Sequence, residues 1–352
     1  MDYDFTGNNG PTRTVASKDE FTHVVEEVVN YNESMYINAF DHTQNIGGWF
    51  RVGNRPNEHH AEVSVCLYLP DGKVGFIYAR PEIADNSELV AAGLSFKVVD
   101  PLKHIQVTYE GKICLLNDPE DMQDPKKAFS ENPMVDCFVD IEFHGLHPVV
   151  GGEVVADDGG PVPPELYNGF FRGHYEQHMR ATGSIVVDNM KFLFNGYGLR
   201  DHSWGPRYWQ NMRWYRWFPI CFGEDFGIAC IMQQMDISSD VNYFGYIHEG
   251  DRLKKIVEAK IKTEYDKSLY CRKVNLSMKA DDGTEYKMEG KILSLIPLRN
   301  RRTTDEGDVL ETRIIEAMIE FHYNGMRGVG MAEYLDFIED GQPAGNIFEL
   351  TM

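Results

Sequence analysis

Four of the chain's five tryptophans fall within fourteen residues, in a run from Gly198 to Trp217 that also holds the adjacent pair Asp201-His202 and four arginines. Tryptophan is bulky and costly to leave in water, so such a cluster is either a core layer or the wall of a pocket for something apolar or cationic. The interleaved polar residues favour the pocket. The chemistry it would serve is proton transfer beside aromatic faces, each desolvated ring stabilising a positive centre by ~0.5–2 kcal/mol. In an extended chain Asp201 and His202 point to opposite sides. Beyond Pro206 the run reads as a strand, which puts Trp209, Asn211, Arg213, Tyr215 and Trp217 on one face and Tyr208, Gln210, Met212, Trp214 and Arg216 on the other. The plainer alternative has Asp201 capping a turn and pairing with Arg200 or Arg207.

Two further constellations carry potential chemistry. In His174-Tyr175-Glu176-Gln177-His178, alternation puts His174, Glu176 and His178 on one strand face. A mononuclear zinc site is one reading, less specific than two histidines one turn apart on a helix; a polar barrel face with one group lining a ligand cavity is the other, and no metal is assigned. Near the C-terminus Gly328-Val329-Gly330-Met331-Ala332-Glu333-Tyr334 surrounds a carboxylate with small residues. Buried there, Glu333 would hold a proton at neutral pH; in an exposed last strand it would not. The segments Asn32–Tyr36 and Gly47–Gly53, the latter with Trp49, mix polar and aromatic residues in the same manner and are candidates to complete a site from another domain.

The composition narrows the function classes. A net charge of -21 argues against nucleic acid, because a phosphate-binding surface needs clustered Lys and Arg. Twelve Asp or Glu against two Lys between 118 and 165 read as a solvated acidic loop region. No apolar run approaches the ~20 residues of a membrane span and the first residues lack a signal-peptide pattern, so a cytoplasmic protein without stable membrane insertion is expected. The six cysteines contain no CxxC pair and read as buried thiols. Phosphate-binding glycine loops and the GxSxG elbow are absent, leaving nucleotide and serine-hydrolase readings unsupported.

The elements that must position these residues read mostly as strands. Glu62–Leu69 and Lys73–Ala79 flank a Pro-Asp-Gly turn as a hairpin, and similar short runs recur to Thr312–Tyr323, which suggests antiparallel sandwiches or barrels. The best helical candidate is Lys18–Tyr31, where Phe21, Val24, Val25, Val28 and Val29 recur near helical spacing; it would cap or plug a barrel. At 352 residues two domains are expected. The Gly- and Pro-rich stretch 151–164 sets the boundary, giving domains 1–165 and 166–352, with the strand pair that follows the stretch assignable to either side.

The string Gly196-Tyr197-Gly198-Leu199-Arg200-Asp201-His202-Ser203-Trp204-Gly205-Pro206-Arg207, with the later Gly330-Met331-Ala332-Glu333-Tyr334, resembles the lipocalin-like superfamily that contains carotenoid 1,2-hydratase (hydroxyneurosporene synthase) and kievitone hydratase. The resemblance implies an all-β chain of two lipocalin-like antiparallel barrels with a few short helices, a ligand in a hydrophobic cavity, and no cofactor. It implies acid-catalysed addition of water to an isoprenoid-type double bond, with cyclases among the relatives. The positions it matches are Asp201, His202, Trp204 and Glu333; Ser203 departs from relatives that carry an acidic residue there. The mechanism expected on these grounds has Asp201 or Glu333, kept neutral by apolar surroundings, protonate the less substituted alkene carbon. Trp204, Trp209, Trp214, Tyr215 and Trp217 would face the tertiary cation, Trp49 would be a further substrate contact, and His202, His174 or Glu176 would position the water. The partner is a lipophilic small molecule, a homodimer being compatible with this reading. A non-catalytic carrier of lipophiles, or a terpenoid isomerase or cyclase, is the alternative.

Overall fold

β-Branched and aromatic residues alternating with polar ones, cut by turns, build an antiparallel structure, described by a computed structural model over residues 12–160, 162 and 170–351. It forms two compact units: one takes the chain up to Asn117 together with Glu131–Arg207, the other takes Asp118–Ser130 together with the chain from Tyr208.

In the first unit, strands β1 (Tyr31–Asp41), β2 (Ile46–Arg55), β3 (His60–Tyr68), β4 (Val74–Ala79), β5 (His104–Leu116), β6 (Met134–Gly145), β7 (Gly173–Val187) and β8 (Met190–Pro206) close into a ring. Each pairs with the next and β8 returns to β1, so the barrel has no open edge. In the second unit, β9 (Trp214–Cys221), β10 (Phe226–Gln234), β11 (Asn242–Glu249), β12 (Arg252–Tyr265), β13 (Cys271–Ala280), β14 (Glu285–Thr303), β15 (Val309–Tyr323) and β16 (Met326–Glu339) form a meander closed by β16 against β9. The two-barrel expectation holds.

Apolar side chains pack inside each barrel. Met35, Ile37, Phe50, Val52, Leu67, Val107, Ile141, Phe143 and Met179 fill the first, and Phe218, Ile228, Leu276, Leu295, Ile319 and Phe321 the second. An eight-stranded ring is just wide enough for such filling. Displacing these side chains for a ligand would forfeit about 1.5–3 kcal/mol for each one returned to water. Alternation follows from this: in β6, Cys137, Val139, Ile141 and Phe143 are buried while Asp136, Phe138 and Asp140 are exposed. β1 breaks the rule, being buried at every position although its outer face carries Asn32, Ser34, Tyr36 and Asn38.

A terminal segment plugs each barrel through an inward-facing arginine. Arg200 of β8 donates to Glu20 (2.6 Å) beside the Tyr175 ring, and Arg216 of β9 donates to Glu349 (2.9 Å) of the helix α1 (Ala344–Thr351) and to Asp336 (3.0 Å). The plug of the first barrel is not the expected helix. A 3₁₀ turn covers only Ser17–Glu20, and Phe21, Val24 and Val29 are 51%, 93% and 67% exposed, so the valine spacing buries no stripe. Charged residues anchor it instead.

Two other expectations change. The strand pair Gly173–Val187 and Met190–Pro206 belongs to the first barrel, since β7 pairs with β6 and β8 with β1, so the units divide between Arg207 and Tyr208 and not at 165. Residues 161 and 163–169 of the linker region lie outside the described residues. Beyond Pro206 the chain does not run on as a strand: Trp209–Asn211 is a 3₁₀ turn and β9 starts at Trp214, which dissolves the two-faced array expected over 208–217. All six cysteines are buried. Among the described residues no helix is long and apolar enough to cross a membrane.

Candidate active site

The motif strand β8 carries its chemistry on both faces. Facing out are Asp201 and Ser203; facing in are Arg200, His202 and Trp204, on the same side as the core residue Phe194. Gly205, at φ +116, ends the run in a conformation that other residues rarely adopt, with the Arg172 backbone 2.7 Å from where a β-carbon would stand.

On the outer face, β7 and β8 are in register with Glu176 opposite Asp201 and His174 opposite Ser203. His174 Nε2 hydrogen-bonds Asp201 Oδ2 and lies 3.7 Å from Glu176 Oε1. Phe171 stacks on the His174 ring at 4.6 Å, and Arg207 donates to Ser203 Oγ at 2.7 Å. Tyr36 stands opposite Asp201 on β1 and stacks on Trp49 of β2 at 6.0 Å. The cluster is enclosed, with side-chain exposures of 8% for His174, 5% for Glu176 and 19% for Asp201. Burial alone would raise the Asp201 carboxyl, but the charge and hydrogen bond of His174 outweigh it and hold the group below its ordinary value. Burial likewise disfavours a charged His174, yet Asp201 and then Glu176 raise it above an ordinary imidazole. Both shifts favour an ionised Asp201 and a protonated His174, against the neutral Asp201 expected from the sequence. Glu176 and Asp201 also lie close enough to His174 for the three to share a divalent cation, as do His23, Glu33 and His202. His178, the third ligand of the sequence reading, instead contacts His147 (3.1 Å).

The inner face holds a separate network. Glu33 receives His202 Nε2 at 2.7 Å, His23 Nδ1 at 3.0 Å and the Tyr31 hydroxyl at 3.0 Å; Tyr175 donates to Glu20 at 3.1 Å and contacts His202 Nδ1. The His23 ring lies on Trp204 at 3.8 Å. This is the plugged end of the lumen, so His202 and Trp204 hold the barrel shut and do not face Asp201. Burial opposes charge on His23, but its hydrogen bonds to Asp19 and Glu33 raise it to about 9. A basic group raised on folding stabilises the fold fully below its unfolded value of 6.5 and loses that contribution as pH climbs through about 9. The unfolding free energy read from urea titrations should accordingly fall over that window by about 3 kcal/mol, and His23→Gln should flatten the decline.

In the second unit Trp214 is sealed in the core, its Nε1 donating to Gln234 at 3.0 Å, and Trp209 sits in the 3₁₀ turn. Tyr215, Trp217 and Glu333 share the outer face of that barrel, all buried; Tyr215 donates to Glu333, and Trp217 is opposite it across the ladder. Glu316, not singled out in the sequence, pairs with Glu333 in register and is equally buried. Only its place on an otherwise apolar run, Ile314 to Ile319, could have flagged it. Glu20 and His23 were missed for a different reason, lying more than a hundred residues from the motif, whereas Glu33 and Tyr36 belong to the Asn32–Tyr36 segment singled out in the sequence, which pairs with the motif strand within one barrel and not from another domain. Elsewhere, a cleft of about 760 Å³ on the first barrel is lined by Thr108, Glu110, Phe138, Asp140 and Val186, where the carboxylates are open to water.

A family model described as a domain of unknown function (DUF7064) matches residues 16–338. The chain belongs to the DUF7064 family. Among solved structures this DUF7064 chain is similar to CghA (10% identity, covering 97% of this chain and 98% of that one, TM-score 0.56) and to a putative AttH from Nitrosomonas europaea (13%, 87% and 92%, TM-score 0.55). It is also similar to kievitone hydratase from Nectria haematococca (10%, 96% and 96%, TM-score 0.53). At these identities the likeness establishes a shared fold. In sequence, no curated protein matches the chain.

Proposed function

We propose that this DUF7064 chain is a hydratase-type acid–base enzyme that adds water to, or removes it from, a lipophilic alkene. The observation that carries the reading is the enclosed His174–Asp201 ion pair with Glu176 beside it, on a face shared with Tyr36 and Trp49. The proton held by His174 passes to the less substituted alkene carbon, the π electrons forming the new C–H bond and leaving a tertiary cation. Positive charge thereby moves from imidazole to substrate next to the same two carboxylates, so the ion pairing survives the step. Tyr36 and Trp49 offer ring faces to the cation. Water adds, and the proton it sheds returns to the imidazole. Kievitone hydratase among the fold neighbours is in keeping with this reaction class. Glu333, hydrogen-bonded by Tyr215 on the second barrel, is the second candidate acid.

The test is incubation of the purified chain with prenylated phenols, terpenoids and sterols, followed by mass detection of one water gained or lost. The expected result is turnover of at least one class that Glu176→Gln reduces about tenfold, as for one supporting carboxylate in an acid–base site. Tight binding across the panel without any turnover would assign the chain as a carrier and overturn the proposal.

A further inference from the structure

We infer that the indole N–H of Trp49 anchors an oxygen atom of the ligand, so that the natural substrates are oxygen-bearing lipophiles and not plain hydrocarbons. The inference rests on the site proposed above and names what that site selects.

Trp49 is 2% exposed and its Nε1 has no hydrogen-bond partner among the described residues. Indole nitrogen is a donor only, so nothing but an acceptor can satisfy it. A buried donor left unmade carries its full desolvation cost; Trp204 Nε1 is unpartnered too, but it lies under the His23 ring at the plugged end of the lumen, whereas Trp49 stands on the outer face with Tyr36. Trp214, the tryptophan with a purely structural place in the second core, meets this requirement with Gln234. Trp49 does not.

Its position fits a ligand contact. Trp49 lies on the outer face of β2, away from the packed lumen, between Tyr36 at 6.0 Å and Phe76 at 6.2 Å. The ladder runs Asp201–Tyr36–Arg51 across β8, β1 and β2, and Trp49 is two residues from Arg51 on the same face. Two strand spacings and one two-residue step put the α-carbons of Asp201 and Trp49 about 12 Å apart. A molecule with its alkene at His174 and its acceptor oxygen at Trp49 is thus of the length of a prenylated ring. The aromatic pair supplies a wall for the ring, and the indole hydrogen fixes which way round it lies.

Isothermal titration of the full chain with 4-prenylphenol, its methyl ether and prenylbenzene tests this. The two oxygen-bearing probes should bind about tenfold more tightly than prenylbenzene, because the ether keeps the acceptor while losing the phenolic hydrogen. Trp49→Phe deletes the donor and should erase the preference, the three probes then binding within about twofold of one another. Equal affinity of the unaltered chain for all three probes, a preference for the phenol alone, or a preference that persists in Trp49→Phe would overturn the assignment. The unaltered chain carries the test even if the variant fails to fold. Preference without hydration of any probe would overturn the proposed function and leave the Trp49 assignment standing.

Discussion

Replacing His174 by Gln should lower turnover by about 10²–10⁴-fold, the usual contribution of a positioned proton carrier, while far-ultraviolet circular dichroism stays unchanged. Gln retains a donor for Asp201, so the loss would reflect chemistry and not an orphaned carboxylate. The pH profile discriminates further. Since Asp201 and Glu176 raise His174, the protonated form outlasts an ordinary imidazole, and activity should persist above pH 6.5 before falling on the alkaline side. Asp201→Asn removes the charge chiefly responsible and should move that alkaline limb toward lower pH as well as lowering the maximum. A rate limb that stays in place in Asp201→Asn, or His174→Gln turnover within tenfold of the unaltered enzyme, would transfer the proton-carrying role elsewhere, with Glu333 next in line. A merely structural Asp201 would change the amount of folded protein without moving the limb.

The parts of this arrangement that the sequence revealed are those governed by the two-residue period of a strand. That period placed Asp201 and His202 on opposite faces, put His174 with Glu176, and separated core from solvent in segments such as Met134–Gly145. It failed where local pattern and tertiary need diverge. Lys18–Tyr31 has helical valine spacing, but β-branched residues gain little from a helix, and the segment is fixed by Glu20 and His23 reaching into a barrel built mostly from later chain. The run past Pro206 alternates on paper, yet Trp209–Asn211 turns because the chain is leaving one barrel to start the other. Protonation was misjudged for a related reason. An Asp among tryptophans suggests a neutral acid, whereas the partner that ionises it, His174, is twenty-seven residues back and meets it only through the β7–β8 register.

Cutting the plug of the first barrel should cost more stability than any change at the outer-face site. Glu20 accepts from Arg200 Nη1 at 2.6 Å, from the Tyr175 hydroxyl at 3.1 Å and from the Leu102 backbone N–H at 2.5 Å, and both Glu20 and Arg200 are within 1% of complete burial. Glu20→Ala leaves the guanidinium without its carboxylate in the lumen, a change that typically costs about 3–5 kcal/mol. In a unit of this size that corresponds to a melting midpoint lower by about 10 °C, read as a separate early transition if the second barrel melts on its own. The double variant Glu20→Leu with Arg200→Met removes both charges and should recover most of the loss, because the penalty belongs to the uncompensated ion and not to the missing pair. A single variant within about 1 kcal/mol of the unaltered chain would mean that water reaches Arg200 through the plugged end. The lumen would then no longer be sealed, and the argument that ligands are excluded from it, and so must meet His174 on the outer face, would lose its footing.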